Sequence, residues 1–520
     1  MDEPIPRHYD AAMARPRAKS LRALWWLVLL SASLLPAAPP TAAPAPTRPA
    51  ARTPVPLDVA LRPAAERLIG AALVSDHAYL RLSQLCDGIG HRLSGSPALE
   101  RAVEWAAASM REDGLERVRL QPAMVPRWVR GMERATMIEP GPQALSILGL
   151  GRSIGTPPGG ITAEVVAVDS FAHLDTLPAE AVRGRIVLYD VPYTRYSETV
   201  RYRSQGANRA AMRGAVAALV RSVGPVSLRT PHTGAMSPYV DSIPRIPAAA
   251  VTIEDATMMH RLLARGERVR VRLEMGADTL PQARSHNVIG EIRGRERPEE
   301  VVVVGGHIDS WDVGAGAHDD GGGCVIAMES LRLMKQLGLR PRRTVRVVLW
   351  TNEENGLGGG NAYRDSMGAV MAGHVAAIES DGGVERVVGF DVGVFKVGTD
   401  STDAPRFAAA TTRMKAIAPL LAGLGADSIG PGGGGADVGP LMRKGVPGIA
   451  HRTTMEHYFD WHHTQSDMLD KVDPIELRKN VAALAVMVYA LAEMPERLGD
   501  VPGVSARPSV APRPAVGARR

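Results

Sequence analysis

Between Val301 and Asp381 lie five side chains of the types that hold metal ions, each at the mouth of an apolar run. VVVVGGHIDSWD carries His307, and GAHDDGGG carries Asp319. VRVVLWTNEENG carries Glu353 and Glu354, and HVAAIESDGG carries Asp381. A further imidazole, His463, stands in YFDWHHTQSDM. Zinc accepts imidazole nitrogen and carboxylate oxygen, and a catalytic zinc keeps one position for water. Two ions about 3.5–4 Å apart need a shared ligand, which a carboxylate with its two oxygens can be. Asp319 is the bridge candidate, because the glycines after it let the backbone approach closely.

The expected set is His307, Asp319 and Asp381 on one metal, and Asp319, Glu354 and His463 on the other. Glu353 and Glu354 are neighbours and cannot be equivalent, so one coordinates and the other, taken as Glu353, is free for proton transfer. Asp309 is expected to support the His307 ring or a neighbouring group, and Asp320 to shape the turn. His318 and His462 each adjoin a chosen ligand and remain open as substitutes. His374, ahead of its strand, reads as structural. Alone, a Glu-Glu pair is usually a solvated helix face and a triple glycine usually a loop. The strand-then-ligand pattern recurs three times, however, and in open α/β sheets ligands collect beyond the carboxyl ends of strands.

The elements that must position these groups follow from periodicity. From Arg284 onward strands alternate with helices, which predicts an α/β fold with a mainly parallel mixed sheet flanked by helices. CVIAMESLRLMKQLG reads as an amphipathic helix after the Asp319 turn, and ELRKNVAALAVMVYALAEM as the closing helix. Residues 57–139 read as a first segment of the same domain, helical to about Ser109, with a strand pair in RVRLQPAMVPRWVRG. Residues 140–280 have a different texture. Short β-rich pieces surround one helical stretch, ANRAAMRGAVA, without a metal-type cluster. That segment reads as a small inserted β-rich domain, either a lid or substrate-shaping element or a passive spacer. SIGPGGGGADVGP, rich in glycine, is placed at the rim of the site, with Asp437 as a contact for a substrate amine.

The formal net charge of +6 misleads. Residues 1–22 contribute +2, residues 23–56 +2 and residues 497–520 +4, leaving −2 for residues 57–496. The chain also lacks a basic-plus-aromatic signature for nucleic acid. Residues 1–43 read as a signal peptide with an apolar run from Ala23 to Leu35, too short to span a membrane comfortably. A Pro/Ala-rich linker over 44–56 and a disordered tail over 497–520 complete the organisation. The expected location is secreted or periplasmic, without a stable membrane span once the signal is removed. Cys86 and Cys324 are expected to be free buried thiols.

With these motifs in place, the chain resembles the co-catalytic zinc aminopeptidase/glutamate carboxypeptidase family. GGHIDSWDVGAGAHDDGGG, LGLRPRRTVRVVLWTNEENG, ESDGG, GVPG and WHHTQSD are similar to signatures of its carboxypeptidase Q-like branch. The resemblance implies two Zn2+ per chain, the ligand set above, Glu353 as the catalytic carboxylate and a cis peptide between Asp319 and Asp320. It selects His463 over His462. It identifies the insert as a protease-associated domain and implies a homodimer. Met468 departs from the family pattern, which has Thr there. The implied activity is hydrolysis of dipeptides or short peptides with free termini: a metal-bridging hydroxide attacks the carbonyl, and Glu353 acts as general base and acid. The alternatives are an aminopeptidase of the same family, a single-zinc glutaminyl cyclase-like enzyme and a receptor-like homologue without catalysis.

Overall fold

The computed structural model describes residues 55–503. The signal peptide, most of the linker and the end of the tail expected from the sequence lie outside the described residues. The main sheet has eight strands: β1 (Glu116–Val129), β2 (Asp278–Ile292), β3 (Arg297–His307), β4 (Arg343–Trp350), β5 (His374–Glu379), β6 (Val387–Gly393), β7 (Ser428–Pro431) and β8 (Gly448–Thr453). Their order is β1-β2-β4-β3-β5-β8-β6-β7. The central four, β4-β3-β5-β8, are parallel, and antiparallel pairs flank them. From β3 the chain passes to β4 on one side and then crosses to β5 on the other. The carboxyl ends of β3 and β5 therefore border a topological switch point, where a crevice opens.

The apolar runs arise because both faces of the central strands are covered. In β3, Val302 and Val304 point into one core, while Val301 and Val303 point into another. In β4, Val345, Val347 and Leu349 join the first core, while Val348 and Trp350 join the second. The first core is closed by helices Leu57–Leu73, Gly322–Gln336 and Pro474–Glu493. Helix Gly322–Gln336 is buried from Gly322 through Leu331, so it is a core helix rather than an amphipathic one. The segment read as a strand pair is the single strand β1, although it contains Pro122 and Pro126. Proline lacks the ladder donor, but β1 lies at the sheet edge, and its register with β2 is irregular beside Pro126.

Residues 133–275 fold into a second eight-stranded sheet. Helices Tyr196–Met212 and Ile253–Ala264 pack with it, so the unit is mixed α/β and richer in helix than its sequence implies. It leaves the main sheet at the end of β1 and returns through β2. At that neck a Cβ on Gly131 (φ +67°) would lie 2.5 Å from the Gly276 carbonyl oxygen. Both cysteines are free and buried.

Close approach also governs β3. A Cβ on Gly305 would lie 1.8 Å from the Val348 carbonyl oxygen in the adjacent strand. Gly305→Val should therefore force β3 and β4 apart, costing about 1–3 kcal/mol or more. The expected readout is a lower melting temperature, and an unchanged melt would contradict the strand packing described here.

Candidate metal centre

Each candidate ligand sits at or just beyond a carboxyl end of the central parallel strands. His307 is the last residue of β3. Glu353 and Glu354 follow β4 by three and four residues, and Asp381 follows β5 by two. Asp319 sits in the turn before helix Gly322–Gln336 and is joined to Asp320 by a cis peptide. His463 adopts φ +63° in the loop after β8.

Asp319 occupies the centre. Its Oδ1 lies 3.1 Å from His307 Nε2, which is 3.5 Å from Asp381 Oδ1. Its Oδ2 lies 3.2 Å from His463 Nε2, which is 3.1 Å from Glu354 Oε2. The structure thus brings His307, Asp319, Asp381, Glu354 and His463 together, with the two Asp319 oxygens serving two different groups. Glu353 and Asp381, whose side chain is 23% exposed, form the more open side.

A frame of backbone hydrogen bonds holds these residues. Asp309 Oδ1 accepts from the Glu353 N–H (3.0 Å), and Oδ2 from the Glu354 N–H (3.3 Å) and the Ser94 hydroxyl (3.2 Å). The His307 Nδ1 lies 3.0 Å from the Asp309 carbonyl oxygen, which fixes Nε2 as the nitrogen facing Asp319. Asp320 accepts from the His307 N–H (2.9 Å) and the Gly323 N–H (3.0 Å). Its carboxylate is within reach of His307 and Asp381, but backbone donors already engage both oxygens.

Sequence reasoning missed two members of this frame. Asp467 accepts from the N–H groups of Ala317 (3.0 Å), His318 (2.8 Å) and Asp319 (3.1 Å). Arg92, fully buried, donates to the carbonyls of Ile308 (2.8 Å), Ala315 (2.6 Å) and Gly316 (3.1 Å). Asp467 had a signal, its place in WHHTQSD; Arg92 in GHRLSG had none.

The two substitute histidines behave differently. His318 Nδ1 accepts from the Val384 N–H (3.0 Å), and its ring packs near Trp461. His462 Nε2 is 3.6 Å from Asp319 Oδ2, farther than His463, and its ring stacks on His463 with centroids 3.6 Å apart. His374 bonds the Tyr363 hydroxyl (2.9 Å) at the amino end of β5, away from the centre, and burial lowers its pKa to about 3. Asp437, expected at the rim of the site, is completely buried where the glycine loop packs onto β5, and neither carboxylate oxygen has a hydrogen-bond partner among the described residues. The Glu379 carboxylate accepts from the N–H groups of Asp437 (3.2 Å) and Val438 (2.9 Å). A Cβ on Gly435 would lie 2.4 Å from the Glu379 carboxyl carbon.

Electrostatics explains what this donor set can hold. Burial, then the Asp319 charge, pushes Glu354 up to about 7, with His463 opposing. Burial also raises Glu353 well above the carboxylate range; His307 opposes this, and Asp381, Glu354 and Asp319 add to it. Burial alone would lower His463, but Glu354 and Asp319 raise it to about 10. Glu354 Oε1 and Asp319 Oδ2 are buried without a hydrogen bond of good geometry. Clustered carboxylates with buried, unsatisfied oxygens, faced by imidazole nitrogens, fit divalent cations, and this nitrogen and oxygen set suits zinc.

The sign of the pH effect follows. In the metal-free protein, Glu354 keeps its proton from its ordinary 4.5 up to about 7, so stability falls as pH rises across that window. The contribution of His463 is complete below 6.5 and is lost as pH rises through about 10. Zinc requires both groups deprotonated. The gap in melting temperature between zinc-loaded and chelated protein should widen from about pH 5 to about pH 8. A constant or shrinking gap would contradict this electrostatic account.

Comparison with known proteins gives a consistent pattern. The family model for Peptidase family M28 matches residues 287–488. The chain is 44% identical to carboxypeptidase Q of Mus musculus over 423 residues, covering 81% of this chain and 87% of that protein. It is 43% identical to carboxypeptidase Q of Homo sapiens with the same coverage. The crystal structure of a Peptidase M28 precursor from Shewanella amazonensis SB2B matches with a TM-score of 0.80 at 35% identity, covering 86% of this chain and 99% of that one. BSAP, a zinc aminopeptidase from Bacillus subtilis, shares the fold with a TM-score of 0.59 at 22% identity, covering 82% and 97%.

Proposed function

The chain belongs to peptidase family M28, in its carboxypeptidase Q-like branch, and on that premise we propose that it is a two-zinc exopeptidase acting on dipeptides or short peptides with free termini. It is a zinc-dependent metallopeptidase, so peptides are its substrate class. The observation that carries the two-ion reading is the division of Asp319. Oδ1 faces His307 at 3.1 Å and Oδ2 faces His463 at 3.2 Å. We assign His307, Asp319 and Asp381 to one ion and Asp319, Glu354 and His463 to the other. When bound, such a pair polarises a peptide carbonyl and lowers the pKa of a water in the site towards about 7.

The remaining work belongs to the chain. Glu353, on the open side, takes the proton of the attacking water and delivers it to the leaving nitrogen. Asp309 holds the Glu353 and Glu354 backbone, so that adjacent residues keep separate tasks. Asp320 and Asp467 fix His307 and the Asp319 turn from behind. Export through the N-terminal segment and assembly as a homodimer complete the reading. Among the described residues no helix is long and apolar enough to cross a membrane.

Dipeptide hydrolysis before and after chelation, with Glu353→Gln alongside, tests this directly. The parent should lose activity on chelation and regain it with zinc. Glu353→Gln should retain its zinc and lose turnover by about 10²–10⁴-fold. A variant as active as the parent would remove Glu353 from its role. Substrates blocked at one terminus or the other distinguish carboxypeptidase from aminopeptidase action.

A further inference from the structure

The inserted unit, residues 133–275, meets the candidate metal centre at His463, where its backbone at Thr233 engages both the main chain and the ring. The Thr233 N–H donates to the His463 carbonyl at 3.0 Å. The His463 Nδ1 lies 3.3 Å from the Thr233 carbonyl oxygen. One residue of the insert thus engages both the main chain and the ring of His463. That matters because His463 adopts φ +63°, a left-handed conformation that a histidine keeps only when its surroundings hold it there. The neighbouring His232 ring lies 3.0 Å from the His462 carbonyl oxygen, so the contact covers the dipeptide.

Thr233 is itself held. Arg203, buried on helix Tyr196–Met212, donates from Nη1 to the Thr233 carbonyl at 3.1 Å and from Nη2 to the Tyr196 hydroxyl at 2.7 Å, with Nη1 also 3.3 Å from His463 Nδ1. Gly234 (φ +137°) allows this approach, since a Cβ there would lie 2.3 Å from the guanidinium. The Thr233 side chain is also tied down, its hydroxyl donating to the Gly149 carbonyl at 2.8 Å.

We propose that the insert is a positioning element of the metal centre: Thr233, fixed by Arg203, holds His463 so that Nε2 faces Asp319 and Glu354. The proposal rests on reading His463 as a zinc ligand. A ligating imidazole keeps one proton on the nitrogen turned away from the metal and needs an acceptor there. The Thr233 carbonyl, 3.3 Å from Nδ1, is the acceptor available there; Arg203 Nη1, also 3.3 Å from Nδ1, can only donate and is engaged by that same carbonyl at 3.1 Å. A passive spacer would make no such bond. A lid would act on the open side near Glu353 and Asp381, whereas Thr233 meets the His463 ring from behind.

The test uses the full chain with Arg203→Met, Arg203→Lys and Tyr196→Phe, and two readouts. Chelator competition resolves the two zinc equivalents. Amide hydrogen exchange at Thr233, measured in zinc-free protein, reports the clamp without metal. Arg203→Met should weaken one zinc equivalent about 10–100-fold, leave the other near the parent value and accelerate Thr233 exchange. Arg203→Lys keeps a cationic donor to the carbonyl and should recover most of the affinity. Tyr196→Phe should give a smaller loss at the same equivalent, and it carries the test if Arg203→Met does not fold. Parent affinity for both ions with unchanged exchange overturns the proposal, as does an equal loss of both ions or a lysine variant no better than methionine. If the parent binds no zinc, the reading of His463 as a ligand fails, and Thr233 exchange alone then decides whether the clamp exists.

Discussion

A carboxylate remains ionised inside a protein when opposite charge or hydrogen-bond donors lie close to it. Asp319 meets that condition from two sides, with His307 at one oxygen and His463 at the other. Much of the surrounding architecture follows from this one constraint. The negative side chains of Glu354, Asp381 and Glu353 crowd the same buried volume, and burial raises the pKa of each. Only positive charge supplied at the centre lets them all ionise together. This is why the site reads as a cation site before any relative is considered.

Holding mutually repelling groups in register needs a rigid frame, and the fold supplies it at low conformational cost. The central parallel strands deliver His307, the Glu353-Glu354 pair and Asp381 to one edge of the sheet. Asp309, Asp320 and Asp467 then convert backbone N–H groups into fixed anchors around them. Backbone strain gathers at the same edge. Asn352 (φ +67°), Leu357 (φ +130°) and His463 (φ +63°) occupy conformations rare for residues with side chains. The insert belongs to this frame, because its Thr233 closes the side of the centre that the sheet cannot reach.

The sequence made some of this legible and hid the rest for physical reasons. The runs before His307, Glu353 and Asp381 were readable because doubly covered parallel strands are apolar on both faces, and their ends mark where chemistry collects. The proline-bearing β1 reads as two strands in the sequence because only the sheet order reveals that it lies at an edge. The glycines of the loop before Asp437 signal a close approach to its backbone but not which group it meets; the absence of side chains is what lets the loop pack onto Glu379. Arg92 and Arg203 gave no signal because they act on carbonyl groups far away in the chain. Helix Ile253–Ala264 went unread within a segment dominated by short β-type pieces.

Native mass spectrometry of the parent and of Asp319→Asn tests the central claim, that one carboxylate serves two ions. The account predicts two zinc ions per parent chain and the joint weakening of both in the variant. A parent that carries a single zinc, or a variant that loses one ion while holding the other at full occupancy, would contradict it.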